Sequence, residues 1–282
     1  MSNAWEELEN RCYEYLRRLY GKNNLIEAYG KSDSTKADIK IEPSSSKEFF
    51  VEVKAGNSQC CQFVLFPNEN TEKFDFSNRN KVPLSENCKR IIAYMNSLYK
   101  KYHRVGKKGI PVEVDKSILY GLVQDFYSAK NVKFFMTEGT DIMIFPSNSF
   151  SSYFNIEAFY RRKISGSSEP NEANNNSEIV QGLIDEGIQG TLEYKFVSGK
   201  TRCFFHSDEP LHKRRMMCDE YTYQFKDNKY SKTLSKTKNY VFEVRRLSNT
   251  SNPNVICQLS LKKTEQDKKD LETFEDLMNK ED

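Results

Sequence analysis

Two short segments constrain this chain more than any other feature. They are "KADIKIE" (36–42) and "FFVEVKAG" (49–56). In both, apolar residues fall mainly on odd numbers: Ala37, Ile39 and Ile41, then Phe49, Val51 and Val53. Charged residues fall on even numbers: Asp38, Lys40 and Glu42, then Glu52 and Lys54. A β-strand sends successive side chains to opposite faces. The pattern therefore predicts two strands joined by "PSSSKE", with one face packed and the other carrying Asp38, Glu52 and Lys54. Glu52 and Lys54 share a face about 7 Å apart along the strand. Asp38 joins them if the strand register allows it.

Around this pair the chain reads as alternating helices and strands. "WEELENRCYEYLRRLY" (5–20) is a helix with Trp5, Leu8, Cys12, Leu16 and Leu19 on one stripe. Glu9 falls beside that stripe, where an unpaired acid is costly. "QCCQFVLF" reads as a strand ended by Pro67 and Asn68. "SENCKRIIAYMNSLYKKY" is a helix with Ser85 as its N-cap, and "KSILYGLVQDFYSAKN" is another. "VKFFMTEG" and "DIMIFP" are buried-type strands. Five further strand-like segments follow from residue 190, and a charged helix at about 264–280 closes the chain. The Ser-, Asn- and Glu-rich stretch "RRKISGSSEPNEANNNSE" (161–178) has the composition of a linker. The expectation is an α/β (α+β) protein with a mixed sheet flanked by helices and a β-rich C-terminal half. Its parts are a core at 1–165, a linker or long loop at 166–178, and a β-rich region at 179–282.

Composition removes several function classes. The net charge is +3 with 29% charged residues, so any basic groove must come from local clustering. No apolar run reaches the roughly 18–20 residues that span a bilayer, and the opening "MSNAWEELEN" is polar and acidic. The seven cysteines include no C-x-x-C pair, and the three histidines have no helical metal spacing. The expectation is reduced thiols in a cytoplasm, without a zinc site and without a membrane partner. P-loop, G-x-G-x-x-G and G-x-S-x-G motifs are absent, which disfavours kinases, dinucleotide enzymes and serine hydrolases.

The even-numbered face carries the chemistry. Two carboxylates supply the hard oxygen ligands that Mg²⁺ prefers. A neighbouring lysine orients the attacking water and stabilises charge on a phosphate. Metal and lysine together suit phosphodiester hydrolysis. Asp38 followed by Glu52-Val53-Lys54 resembles the D…E-x-K signature of the PD-(D/E)xK nuclease superfamily, although Ala37 stands where a proline often does. The resemblance covers residues 5–65 as motif, and the chain length is similar to that of type II restriction endonucleases. It implies a restriction-endonuclease-like core, Mg²⁺ held by Asp38 and Glu52, and catalysis by Lys54. It further implies a helix-borne acid, for which Glu9 is the candidate, and a supporting polar residue, Gln59. A homodimer, double-stranded DNA cut at a short site, and a cognate DNA methyltransferase follow from the same resemblance.

The basic segments are the candidate DNA contacts: Arg161, Arg162, Lys163 and Ser165 in one, Lys213, Arg214 and Arg215 in the other. A second copy of the motif, Asp185 with Glu193-Tyr194-Lys195, lacks a strand opening on its acid. Three other readings stay open on these residues. One is a repair or phage-defence nuclease of the same superfamily. Another is a DNA-binding protein without catalysis. The third is a solvated hairpin whose Lys–Glu pairs each contribute little.

Overall fold

The two alternating segments lie side by side in the interior of a sheet. The computed structural model describes residues 4–30, 36–44, 46–164, 167–197, 200–218, 221–227, 240–248 and 251–278. The chain begins with helix α1 (Ala4–Tyr20) and strands β1 (Asn24–Ala28), β2 (Ile39–Pro43), β3 (Phe49–Val53), β4 (Gln59–Asn68) and β5 (Lys73–Phe76). Helices α2 (Glu86–Ser97) and α3 (Tyr99–Tyr102), strand β6 (Ile110–Pro111) and helix α4 (Lys116–Ser128) follow. Next come β7 (Val132–Glu138), β8 (Ile142–Pro146), the one-turn helix α5 (Phe150–Tyr153) and β9 (Phe154–Ile164). Then come α6 (Glu172–Asp185), β10 (Gly190–Val197), β11 (Lys200–Ser207), β12 (Arg215–Cys218), β13 (Tyr221–Asp227) and β14 (Tyr240–Leu247). Strand β15 (Ser251–Leu261) and helix α7 (Lys268–Met278) end the described chain.

Among the described residues the strands form three five-stranded sheets. The first has the order β1-β2-β3-β7-β8. Only the β3–β7 pair is parallel in it; β1–β2, β2–β3 and β7–β8 are antiparallel. Its odd-numbered residues Ile39, Ile41, Val51 and Val53 are buried against Leu8, Cys12 and Leu16 of α1 and Phe274 and Met278 of α7. On its other face, Phe135 and Phe145 belong to a core shared with Leu122 and Tyr127 of α4. A strand covered on both faces explains why Phe49–Val53 has almost no exposed residue. Trp5 and Leu19, assigned to the α1 stripe by their angle, are 44% and 50% exposed. They stand one turn outside the buried stretch, where the stripe runs past its cover.

The chain divides into two compact units, and the division corrects the expected layout. One unit is Ser2–Arg162 together with Pro253–Asp282; the other is Lys163–Asn252. The β-rich unit therefore ends at Asn252, two residues into β15, rather than running on to 282. Strand β15 returns to pair antiparallel with β4, setting Asn254 against Val64 and Val255 against Phe63. It completes the second sheet, ordered β5-β4-β15-β9-β6. Helix α7 buries Phe274 against Phe49 and Phe134 of the first unit, edge-on to both rings. The expected linker at 166–178 is structured as well from residue 167 onward. Ser168 exchanges two backbone hydrogen bonds with Arg246, and α6 begins at Glu172. Its polar composition is used in capping, since the Asn175 side chain accepts from the Asn171 amide at 3.0 Å.

The inserted unit holds the third sheet, antiparallel throughout, in the order β10-β11-β14-β13-β12. Ile179 and Leu183 of α6 pack on its Cys203, Phe205, Phe225 and Val244. Elsewhere Ser85 caps α2 as expected, accepting from the Cys88 amide. Strand β4 does not stop at Pro67 but carries it and Asn68 into pairing with β5. No helix among the described residues is long and apolar enough to cross a membrane.

Phe274→Ala tests the return of the C-terminus into the first unit. Removing a fully buried phenyl ring is expected to cost about 3–5 kcal/mol in chemical denaturation. A change within about 0.5 kcal/mol, the range of a surface site, would contradict the packing.

Candidate active site

Register brings the even-numbered residues together. β2 and β3 pair Ile39 with Val51 and Ile41 with Phe49. Continuing that register by one residue sets Asp38 level with Glu52. The link is direct: Asp38 Oδ2 accepts a hydrogen bond from the Val53 amide at 2.8 Å. Lys54 continues β3 alongside β7, its amide donating to the Met136 carbonyl at 2.8 Å. Its Nζ donates to Glu52 Oε1 at 2.6 Å and lies 5.5 Å from the centre of the Tyr127 ring. Asp38, Glu52 and Lys54 thus form one cluster at the ends of two adjacent strands.

The cluster is not a solvated hairpin surface. Glu52 is only 4% exposed, and its second oxygen, Oε2, is buried without a hydrogen-bond partner among the described residues. Burial raises the Asp38 carboxyl to about 6, with the Glu52 charge adding to the rise, while Lys54 and the Val53 amide oppose it. Glu9 is raised further, to about 8, first by burial and then by the charge of Asp38. This places Glu9 of α1 within the field of the same cluster, as Lys54 and Glu52 also act on it. For Lys54 burial works downward, but Glu52, Asp38 and the Glu52 hydrogen bond outweigh it and the net direction is up.

The other candidates lie on other elements. Gln59 opens β4 as an exposed residue. Arg161, Arg162 and Lys163 lie in β9, and the unit boundary falls between the last two. Arg162 is partly spent on structure, since its Nε donates to the Val105 carbonyl at 3.2 Å. Ser165 lies outside the described residues. Lys213, Arg214 and Arg215 are exposed in the inserted unit, where Arg214 pairs with Glu186 at 2.6 Å. Arg215 opens β12, a strand that the run of basic residues concealed. In the second motif copy, Asp185 ends a helix and Glu193 pairs with Lys195 and His206, both at 2.8 Å. Tyr127, beside Lys54, had no distinguishing signal in the sequence; it is one aromatic residue on an apolar helix stripe.

The raised acids predict a pH dependence with a definite sign. A carboxyl raised by the fold contributes stability below its ordinary range and loses it as pH rises through the folded value. Glu9 therefore opposes folding increasingly between about pH 5 and its folded value of about 8. In metal-free protein, Glu9→Gln is expected to gain stability relative to the parent as pH rises across this window. Denaturation at pH steps reads the difference, and a gap that stays flat or narrows would contradict the assignment.

No family model and no curated protein matches the chain. A solved structure does: HhaI endonuclease in complex with DNA, 32% identical, covering 99% of this chain and 100% of that one, with a TM-score of 0.81. Identity and coverage at this level, on top of the shared architecture, make the chain a member of the HhaI endonuclease family with a restriction-endonuclease-like fold.

Proposed function

We propose that the protein is a Mg²⁺-dependent type II restriction endonuclease that hydrolyses double-stranded DNA at a short specific sequence. The observation that carries the reading is the cluster of Asp38, Glu52 and Lys54, with a buried Glu52 oxygen that lacks a hydrogen-bond partner among the described residues. A buried acceptor without a donor is costly, and a cation would relieve it. The donor set suits Mg²⁺, because Asp38 and Glu52 offer hard oxygens and the cluster contains no soft ligand. Membership of the HhaI endonuclease family, one of whose structures contains DNA, supports DNA as the substrate.

In this reading Asp38 and Glu52 hold the metal, which when bound polarises the phosphate and acidifies water. Lys54 does the rest of the local work. Its ammonium, held by Glu52 Oε1, orients the attacking water and offsets charge developing on the scissile phosphate. Glu9 acts as an outer acid from α1, and Gln59 supports the site from the start of β4. Arg161, Arg162, Lys163 and Ser165, with Lys213, Arg214 and Arg215, meet DNA phosphates and base edges. Action as a homodimer and a cognate methyltransferase that protects host DNA belong to the same proposal by family resemblance.

Digestion of unmodified plasmid and phage DNA tests it. With Mg²⁺ the protein is expected to give discrete fragments, lost in EDTA. Lys54→Ala should slow cleavage by about 10²–10³-fold, the usual loss on removing one positioned group that stabilises developing charge, while DNA binding persists. Undiminished cleavage by Lys54→Ala would overturn the site, and a continuous smear would overturn the short specific sequence.

A further inference from the structure

A second constellation lies apart from the carboxylates, on the pairing of β4 with β15. The register there shifts: Ile256 faces Gln62, whereas Gln258 faces Gln59. Two residues of β4, Cys60 and Cys61, therefore stand opposite one residue of β15, Cys257. This is a β-bulge, which bends a strand and re-aims its side chains. The three sulfur atoms all lie within 4.8 Å of one another, and those of Cys60 and Cys61 are 3.8 Å apart. All three residues are buried, at 7%, 3% and 0% exposure. They are free thiols, and 3.8 Å is far beyond the roughly 2.05 Å of a disulfide bond.

The spacing has a chemical meaning. Tetrahedral zinc with Zn–S bonds of about 2.3 Å sets neighbouring sulfurs about 3.8 Å apart. Ordinary packing asks only that a cysteine be small and apolar. It does not ask for three thiols to converge on one irregularity of one sheet. The absence of C-x-x-C spacing does not exclude such a site, because Cys60 and Cys257 are 197 residues apart in sequence. We propose that Cys60, Cys61 and Cys257 form a trithiolate site for one thiophilic divalent cation of the Zn²⁺ class, with water as the fourth ligand.

Binding is a ligand exchange without oxidation. Three S–H bonds break, three S–metal bonds form, and three protons leave to solvent. The dication and three thiolates leave one net negative charge in the interior. The Lys54 ammonium lies close enough to Cys60 for each to act on the other electrostatically, and it offsets that charge. Cys61 also borders a narrow apolar cleft lined by Phe63, Cys88, Leu122 and Phe126.

The test uses the full chain, reduced and freed of metal, titrated with Cd²⁺. Its readouts are the ultraviolet sulfur-to-cadmium charge-transfer band and proton release, neither of which depends on nuclease activity. The expected result is a band that saturates at one Cd²⁺ per chain and is lost on competition with Zn²⁺. Cys61→Ala and Cys257→Ala should each weaken binding by at least about tenfold, in line with losses seen on disturbing metal sites. Cys203→Ala, in the inserted unit, should leave it unchanged. Absence of the band in folded wild-type protein, or its full retention in both variants, would overturn the proposal. Should either variant fail to fold, the wild-type melting curve decides. A Tm that rises with Cd²⁺ in step with the sulfur-to-cadmium band, saturates at one equivalent and persists in excess Mg²⁺ supports the site, and a Tm unmoved under those conditions overturns it.

Discussion

The antiparallel register that sets Ile39 against Val51 is the constraint on which the rest of this molecule depends. It sets Asp38, which precedes β2, level with Glu52 of β3, and leaves Lys54 just past the end of that strand on the same face. A slip of one residue would turn Glu52 and Lys54 toward α1 and the valines toward Asp38 on the other face. The slip is prevented from both faces. Val51 and Val53 are held by Leu8, Cys12, Leu16 and Phe274. The Asp38 carboxylate is itself part of the register, because it accepts from the Val53 amide. One hydrogen bond thus belongs both to the fold and to the candidate site.

The cluster concentrates negative charge in a poorly solvated place. Asp38, Glu52 and Glu9 act on one another, and the lysine among them reduces but does not cancel the repulsion. Asp38 and Glu9 titrate above their ordinary range, first because burial penalises the charged form and then because of this repulsion. Groups perturbed in this way gather at functional sites more often than elsewhere. The arrangement suits a site whose missing positive charge arrives with a cation and whose lysine is kept for the phosphate. It is a poor way to stabilise a hairpin, where exposed Lys–Glu pairs would contribute only about 0.2–1 kcal/mol each.

Much of this was legible from residue order alone. The alternation at 37–42 and 49–54 marked β2 and β3, and its even-numbered positions named the acids and the lysine. Glu9 stood out because an acid beside a packed helical stripe calls for a reason. The parts that stayed hidden share one physical cause, long-range pairing. Nothing local in "NPNVICQLSL" says that this strand leaves the preceding sheet and pairs with β4. The polar run at 166–178 looked like a linker because composition records solubility, whereas Asn175 and Ser168 use their polar groups for capping and pairing. The convergence of Cys60, Cys61 and Cys257 depends on a bulge between distant strands, which no spacing rule within the sequence can express.

The central claim is that the orphaned Glu52 oxygen marks a cation site shared with Asp38. The most direct measurement is a Mn²⁺ titration followed by electron paramagnetic resonance, with duplex DNA present, on wild-type protein and on Glu52→Gln. The substitution keeps the side chain's shape and removes its charge. A loss of Mn²⁺ affinity of at least about tenfold in Glu52→Gln is the result predicted for a side chain that holds the ion. Equal affinity in the two proteins would contradict the account and return Glu52 to a purely structural partnership with Lys54.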